Sequence, residues 1–373
     1  MTMETSKKIT FARWGNYTVA IKALFERLGF EVVLPQTSNE TIVKGVKHAP
    51  ELFCFPMKIL LGNYLGAIRQ GAVAVFSAAN STGSCRQRYY GIVQEKIISD
   101  CGLSVEFVHV PLSPRKFFGV LSKQSGKSNF EIASALLFSF MMLVMIEKLE
   151  ARARYARPRE LNQRDTDKAV RASLELLETV KSFGDLYRAG RKINQQFSLI
   201  SINANKPVPR VGLVGEIYGV SEAQINFGIE QKLGEQGIEA HRQMTLLYHL
   251  KKLVFPWMDW VITFRTRKYL GSHVGGHGRD AVSEMLTYVK DGFDGVIQIL
   301  PFGCMPEVTV RPVLERIHKE SGVPFLSLSL DEQVAEAGIE TRLEAFGDVV
   351  HSRFERKLAA QKILDGNHDM LKL

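Results

Sequence analysis

The chain of 373 residues contains four cysteines, and the positions of three of them are the first indication of its chemistry. Cys85 follows the apolar run Ala72–Phe76, Cys304 follows the run Gly295–Leu300, and Cys54 stands just before a predicted helix. Ligands bind beyond the carboxyl ends of strands in parallel sheets, and a helix N-terminus favours the thiolate that binds metals. The three thiols are therefore candidate ligands of one metal site. Unrelated buried cysteines are the alternative, because no compact CxxC spacing joins them.

Residues around these cysteines would suit a bulky metal cluster. Gly303 precedes Cys304 and allows close approach to the backbone, and Pro306 can occupy the first turn of the next helix. The segment 80–86, which includes Ser84, supplies hydroxyl and backbone N–H groups that could donate hydrogen bonds to cluster sulfides. Cys101 differs, because it precedes Gly102 at a predicted helix end, and we interpret it as structural.

Four charged or titratable residues near these segments have two interpretations each. His277, in a Gly-Gly-His-Gly stretch, could protonate a leaving group or donate to a cluster, or could simply belong to a glycine-rich turn. Glu307 could act as an acid at the metal or could cap a helix start. Lys58 and Arg86 could neutralise a reduced cluster or a phosphate, or could lie on a solvated surface.

The elements that would position these residues alternate between strand and helix in two parts of the chain. This order predicts βαβ units and parallel sheets. Between them, the hydrophobic period is helical throughout and indicates three or four helices, followed by an extended link at Asn203–Pro209. The fold class is therefore α/β, with two flavodoxin-like or Rossmann-like domains joined by a helical segment. We expect an N-terminal domain at 1–115 with Cys54 and Cys85, a helical linker at 116–206, and a C-terminal domain at 207–373 with Cys304.

Composition and charge exclude several classes of protein. Hydrophobic residues make up 45% of the chain and the net charge is +9, but no nucleic-acid motif accompanies the basic residues. The denser basic stretch Arg152–Arg159 is typical of a solvated helix face, with an anionic ligand or acidic partner as the alternative. The uncharged run Ile132–Ile146 is too short for a membrane span, and the N-terminus lacks the apolar core of a signal peptide. A cytoplasmic protein is therefore expected. Gly212 and Gly215 lack the third glycine of a dinucleotide-binding fingerprint, so NAD binding is not expected.

Several motifs resemble those of the 2-hydroxyacyl-CoA dehydratase D-component family and its activase-related relatives. The resemblance covers both predicted α/β domains and is most specific in the second. The segments that carry it are Cys54–Lys58, Cys85-Arg86, Val211–Glu216, Gly275–Gly278, Gly292–Val296, Leu300–Glu307, Pro324–Glu332, Ala337-Gly338 and Thr341–Phe346.

The resemblance implies that Cys54, Cys85 and Cys304 ligate one [4Fe–4S] cluster, which leaves one iron open. It implies a partner in anaerobic metabolism, an ATP-dependent activase with its own cluster, which injects a low-potential electron. It further implies radical or reductive chemistry, carried out by a lyase or a low-potential reductase on an acyl-CoA or another small molecule. It also implies a homo- or heterodimer. A non-catalytic electron carrier, an accessory subunit and a structural-metal protein are the alternatives. The segments after Lys58 and Arg86 depart from the family pattern, which affects dehydratase activity more than cluster binding.

Overall fold

The computed structural model describes residues 7–79, 85–111 and 113–370, and its first part is a four-stranded parallel sheet with helices. Its elements are β1 (Lys8–Phe11), α1 (Thr18–Arg27), β2 (Glu31–Val32), α2 (Asn39–His48), α3 (Phe55–Arg69), β3 (Ala74–Ala79), a 3₁₀ turn (Arg86–Tyr89), α4 (Tyr90–Asp100) and β4 (Glu106–Pro111). The strand order is β2-β1-β3-β4. Ala74, Val75 and Phe76 of β3 are buried, as expected for an apolar strand inside a parallel sheet.

Helices form the next part of the chain, as the hydrophobic period predicts. They are α5 (Pro114–Ser125), α6 (Asn129–Ala156), a short 3₁₀ turn (Arg157–Arg159), α7 (Asp165–Glu178) and α8 (Phe183–Ser198). The start of α6 is fixed by a capping box, in which the Ser128 hydroxyl accepts from the Glu131 N–H while the Glu131 carboxylate accepts from the Ser128 N–H.

α6 is longer than the uncharged run in the sequence indicates. The stretch Asn129–Arg159 is long and apolar enough to cross a membrane by length and composition, a test that core helices of soluble proteins also pass. Its inner side chains, such as Phe138, Met142 and Ile146, pack in a hydrophobic core with α1, α7 and α8. The uncharged run Ile132–Ile146 therefore understated the length of this apolar helix, which extends beyond the run at both ends.

A second four-stranded parallel sheet follows. Its elements are β5 (Arg210–Gly215), α9 (Ile217–Ser221), α10 (Ile229–Glu235), β6 (Glu239–Arg242), α11 (Leu246–Val254), α12 (Trp257–Thr266), α13 (Gly278–Lys290), β7 (Gly295–Pro301), α14 (Met305–Ser321), β8 (Phe325–Leu330) and α15 (Glu336–Met370). The strand order β6-β5-β7-β8 repeats that of the first sheet. The predicted α/β class with two parallel-sheet domains is confirmed, whereas the exact domain limits stay predictions.

Two helices have no counterpart in the sequence-based interpretation. α2 is short and mostly polar, and its start is fixed by a capping box at Ser38. Its position depends on packing against α3, because a Cβ at Gly45 would lie 1.9 Å from the carbonyl oxygen of Lys58. α9 has only five residues. Neither helix has the long apolar period that identifies a helix from sequence.

The two α/β parts of the chain meet in one continuous hydrophobic core. Cys54, Phe55 and Tyr90 from the first part pack with Ile299 and Cys304 from the second. Two backbone hydrogen bonds join the loops there, from the Phe55 N–H to the Phe302 carbonyl (3.0 Å) and from the Phe302 N–H to the Leu330 carbonyl (2.7 Å). The carboxyl end of β7 and the start of α3 are therefore held against each other.

Candidate functional site

Each of the three cysteines occupies the position just before a helix. Cys54 is the N-cap residue of α3, Cys85 that of the 3₁₀ turn, and Cys304 that of α14, and all three have extended backbone. Cys85 and Cys304 occupy equivalent places in the two sheets, because β3 and β7 are the third strands of identically ordered sheets. Backbone N–H groups of the turns that follow Cys85 and Cys304 donate to the thiols, which favours negative charge on sulfur. The first N–H of α3, on Phe55, donates instead to the Phe302 carbonyl.

The three thiols line one cavity of about 240 Å³. All four cysteines of the chain are free, and Cys54 and Cys304 are buried while Cys85 is half-buried. The other lining residues are Arg86, Ser272, His273, Val274, Gly275, Gly303, Met305, Pro306 and Thr309. Among the described residues, no group of three or more His, Cys, Asp or Glu side chains is arranged to hold a single metal ion.

Arg86 ties the three cysteine loops together. Its guanidinium donates from Nη1 to the Leu52 carbonyl and from Nη2 to the Gly303 carbonyl, each at 2.6 Å. These carbonyls lie two residues before Cys54 and one residue before Cys304, while Arg86 itself follows Cys85. One side chain therefore fixes the spacing of all three loops, a role that the sequence did not indicate.

Two glycines allow the loops to approach each other. Gly303 has φ +72°, and a Cβ there would lie 3.3 Å from both the Cys54 Cα and the Phe53 carbonyl oxygen. Gly276 has φ +57°, and a Cβ there would lie 2.9 Å from Pro306 Cγ and 3.6 Å from Cys85 Cβ. Gly303 therefore allows the Cys54 loop to approach closely, whereas its predicted close approach to a cluster stays a prediction. The Gly-Gly-His-Gly turn packs against Cys85 and the start of α14.

Hydrogen bonds reach each of the three sulfurs. The Tyr90 hydroxyl lies 2.6 Å from Cys54 Sγ. The N–H groups of Gln87 and Glu307 lower the pKa of Cys85 and Cys304 respectively, but burial is the larger effect and raises the pKa of all three thiols. At neutral pH the thiols therefore need a bound cation to become thiolates.

Glu216 is a charged neighbour of the thiols whose role the sequence did not reveal. It follows β5 and caps α9, where its carboxylate accepts from the Gly219 N–H at 2.8 Å. Burial raises the pKa of Glu216 to about 7, and its charge acts on Cys54, Cys85 and Cys304, raising their pKa. Glu216 belongs to the Val211–Glu216 motif noted in the sequence, but the sequence did not indicate that it lies close to the thiols.

His277 lies in a second cavity, of about 390 Å³, that Cys85 also lines. His273 and Val274 border both cavities. The His277 ring packs edge-to-face on the His249 ring, with centroids 4.6 Å apart. Burial, followed by the charges of His249 and Lys252, lowers the pKa of His277 well below its usual value, so the imidazole is neutral at pH 7. A neutral imidazole can donate a hydrogen bond to a ligand in this cavity.

Glu307 lies in the first turn of α14 but faces β7. Its Oε2 accepts from Gln298 Nε2 at 3.0 Å, and its Oε1 is buried without a hydrogen-bond partner. Burial raises the pKa of Glu307 to about 8, so the group is largely protonated at neutral pH. It is absent from the described lining of both cavities. Its predicted role at the metal stays a prediction.

The remaining predicted residues lie in different places. Lys58 is buried and forms an ion pair with Glu332 at 2.9 Å, which joins α3 to the segment after β8 rather than facing the cysteine cavity. Ser84 lies outside the described residues. Cys101 is exposed at the end of α4, 3.5 Å from His48 Nδ1, and lines a separate surface pocket.

Comparison with protein families finds a match in the first part of the chain. Residues 13–77 are similar to the family described as the CoA enzyme activase uncharacterised domain (DUF2229). The matched segment runs from the end of β1 into β3, so it includes Cys54 and Lys58 but ends before Cys85. No curated protein matches the chain. An activase-related domain is therefore present in the first part of the chain.

Proposed function

We propose that the protein binds one [4Fe–4S] cluster through Cys54, Cys85 and Cys304 and works with an ATP-dependent activase. The observation that carries this proposal is that three free thiols, far apart in sequence, line one cavity at three helix starts. The match of residues 13–77 to an activase-related family supports the link to such a system.

The residues around the cavity fit such a group. The donors are all thiols, which iron–sulfur clusters use, and glycine at 303 and 276 leaves no side chain between the loops. The Tyr90 hydroxyl and the backbone N–H groups of Gln87 and Glu307 lie where they can donate to ligand sulfurs.

When bound, the cluster would supply low-potential electrons and, at an iron without a protein thiolate, a Lewis-acid position. The chain's own residues would hold and orient a small molecule beside it. Neutral His277 would donate a hydrogen bond within the second cavity, and protonated Glu307 would keep a proton beneath the start of α14. We propose reductive or radical chemistry there, in the cytoplasm, with an acyl-CoA as one candidate substrate. The second cavity favours this over a pure electron carrier, which would need no substrate space.

The test is the iron content and EPR spectrum of anaerobically purified protein. About four irons per chain are expected, and Ser in place of Cys54, Cys85 or Cys304 should weaken or abolish the cluster. Cys101→Ser is the matched control and should leave it intact. A colourless protein with stoichiometric zinc would instead favour a structural metal. Turnover of a small reducible substrate with activase, ATP and a strong reductant would distinguish an enzyme from an electron carrier.

A further inference from the structure

The hairpin of α11 and α12 exposes an unusual apolar surface. Trp257, Trp260, Val261 and Phe264 stand at i, i+3, i+4 and i+7, so they share one face of α12. Trp260 is 81% exposed and Phe264 is 64% exposed. We call the exposed apolar residues of this hairpin the aromatic patch: Leu250, Leu253, Val254, Phe255, Trp257, Trp260, Val261 and Phe264. Single exposed apolar residues are ordinary, whereas a set of this size on one hairpin indicates an interaction surface.

The other side of the same hairpin forms a wall of the second cavity, which contains His277 and is also lined by Cys85. His249 and Lys252 from α11, with Asp259, Ile262 and Thr263 from α12, line that cavity. Ile262 and Thr266 anchor α12 in the interior. A molecule on the aromatic patch would therefore be separated from the cavity by about one helix diameter, roughly 10 Å.

The aromatic patch has a cationic border. Lys251, Arg265 and Arg267 are exposed at its edges, and the Arg267 guanidinium lies over the Phe264 ring at 4.0 Å. Lys268 is exposed beyond them, but its charge is paired with Glu320 at 3.1 Å. The hairpin's acidic residue, Asp259, is 2.7 Å from Lys252 and so does not offset this border. Tryptophan at the centre and arginine and lysine at the rim are typical of a protein interface that accepts a negatively charged partner.

We propose that the aromatic patch is the docking surface of an acidic electron-donor protein. This inference rests on the proposed function and adds the place at which electrons enter. One electron leaves the reduced donor, which is oxidised, and crosses the hairpin to reduce this chain's cluster; no bond forms or breaks. The hairpin is suited to this role because one of its faces would contact the donor, while the other lines the cavity that contains His277 and Cys85.

Another exposed apolar face, on α6, does not share this relation to the site. Phe130 is 83% exposed, and Leu137 and Phe140 are about half exposed, but α6 contributes no residue to either cavity near Cys85. Phe130→Glu is therefore a matched control for Trp260→Glu, because both replace an equally exposed aromatic residue with the same charge.

The experiment compares wild-type protein with Trp260→Glu, Trp257→Glu, Lys251→Glu and the control Phe130→Glu. The probe is the ATP-dependent activase of the same organism, purified anaerobically with its own cluster. Binding is measured by biolayer interferometry at low and high salt, and reduction by the EPR signal that appears after ATP is added. Direct reduction by dithionite and iron content are measured for each variant.

Both tryptophan variants should bind the activase about 30-fold or more weakly, which is the effect of losing one interface hot spot. Lys251→Glu should bind more weakly and lose part of the salt dependence. Iron content and reduction by dithionite should not change. Wild-type binding by Trp260→Glu, or equal loss in Phe130→Glu, would overturn the proposal.

Two further outcomes would assign the surface to another occupant and would also overturn it. In one, activase binding survives in Trp260→Glu while binding to phosphatidylserine vesicles is lost. In the other, it survives while self-association of the wild-type chain in sedimentation is lost. A wild-type chain without iron would overturn the proposed cluster, while the interferometry would still decide whether the aromatic patch binds the activase.

Discussion

The hydrogen bond from Tyr90 to Cys54 predicts a change in the reduction potential of the cluster. Tyr90 is buried at the start of α4, and its hydroxyl lies 2.6 Å from Cys54 Sγ. Once Cys54 is a thiolate ligand, it cannot donate, so the tyrosine must. Reduction adds negative charge to the sulfurs and strengthens this bond. Tyr90→Phe keeps the ring and removes only the donor, so it should lower the potential.

The size of the shift follows from the strength of one hydrogen bond. A bond to a charged group contributes about 1.5–3 kcal/mol, and a difference of about 1 kcal/mol between the two oxidation states is reasonable for one sulfur. For a one-electron couple, about 59 mV corresponds to a factor of ten, or about 1.4 kcal/mol. The potential of Tyr90→Phe should therefore fall by about 40 mV.

The assay is an EPR-monitored redox titration of wild-type protein, Tyr90→Phe and Tyr89→Phe. Tyr89 is 45% exposed and its hydroxyl interacts with Arg88, so its loss should leave the potential unchanged. An unchanged or higher potential in Tyr90→Phe, with full iron content, would refute the reasoning. Loss of iron in that variant would show that the hydroxyl holds Cys54 in place instead.

Three other substitutions test the geometry and the buried charge. Gly303→Ala should cost about 1–2 kcal/mol of stability because of its left-handed backbone, and it should reduce iron content because the new Cβ displaces Cys54. Gly322→Ala is the control: it has the same backbone strain but open space around the Cβ, so it should keep its iron. Arg86→Met should release the cysteine loops from each other. The variant should therefore take up iron more slowly during reconstitution and contain less iron. Glu284→Gln should flatten the fall in stability that we expect of the wild-type protein between pH 5 and pH 8, measured by urea unfolding.

The sign for Glu284 follows from its burial. Burial raises the pKa of Glu284 well above its usual value, and both carboxylate oxygens lack hydrogen-bond partners. The folded state therefore binds more protons than the unfolded state above pH 4.5, and stability falls as the pH rises, by at most about 1.4 kcal/mol per pH unit for one group. The exposed Glu344→Gln is the control. Equal pH profiles for Glu284→Gln and wild-type protein would contradict the assignment.

Equal iron content in Gly303→Ala and Gly322→Ala would show that close approach at Gly303 is unimportant. Full reconstitution of Arg86→Met at the wild-type rate would show that the two carbonyl hydrogen bonds do not hold the loops. Each result would leave the other interpretation standing, because the glycine and the arginine act on the loops by different contacts.

The sequence predicted most of the fold because its apolar periods are long and clearly bounded. The apolar runs Ala72–Phe76 and Gly295–Leu300 lie close to the observed strands β3 and β7. α2 could not be predicted, because its polar sequence becomes helical by packing Gly45 against the backbone of α3. The place of each cysteine before a helix also followed from the sequence, since prolines mark the first turns of α3 and α14.

What the sequence by itself determined is the alternation of strand and helix and the local setting of each cysteine, because both depend on neighbours within a few positions. Only the tertiary structure decided which groups meet. Arg86 spans to the carbonyls of Leu52 and Gly303, Tyr90 reaches Cys54, and Glu216 comes close to the thiols through contacts between segments far apart in sequence. Lys58, which the motif places beside Cys54, turns instead to Glu332. Helical and strand periods fix the direction of a side chain relative to its own element, whereas its partner depends on how the two sheets pack.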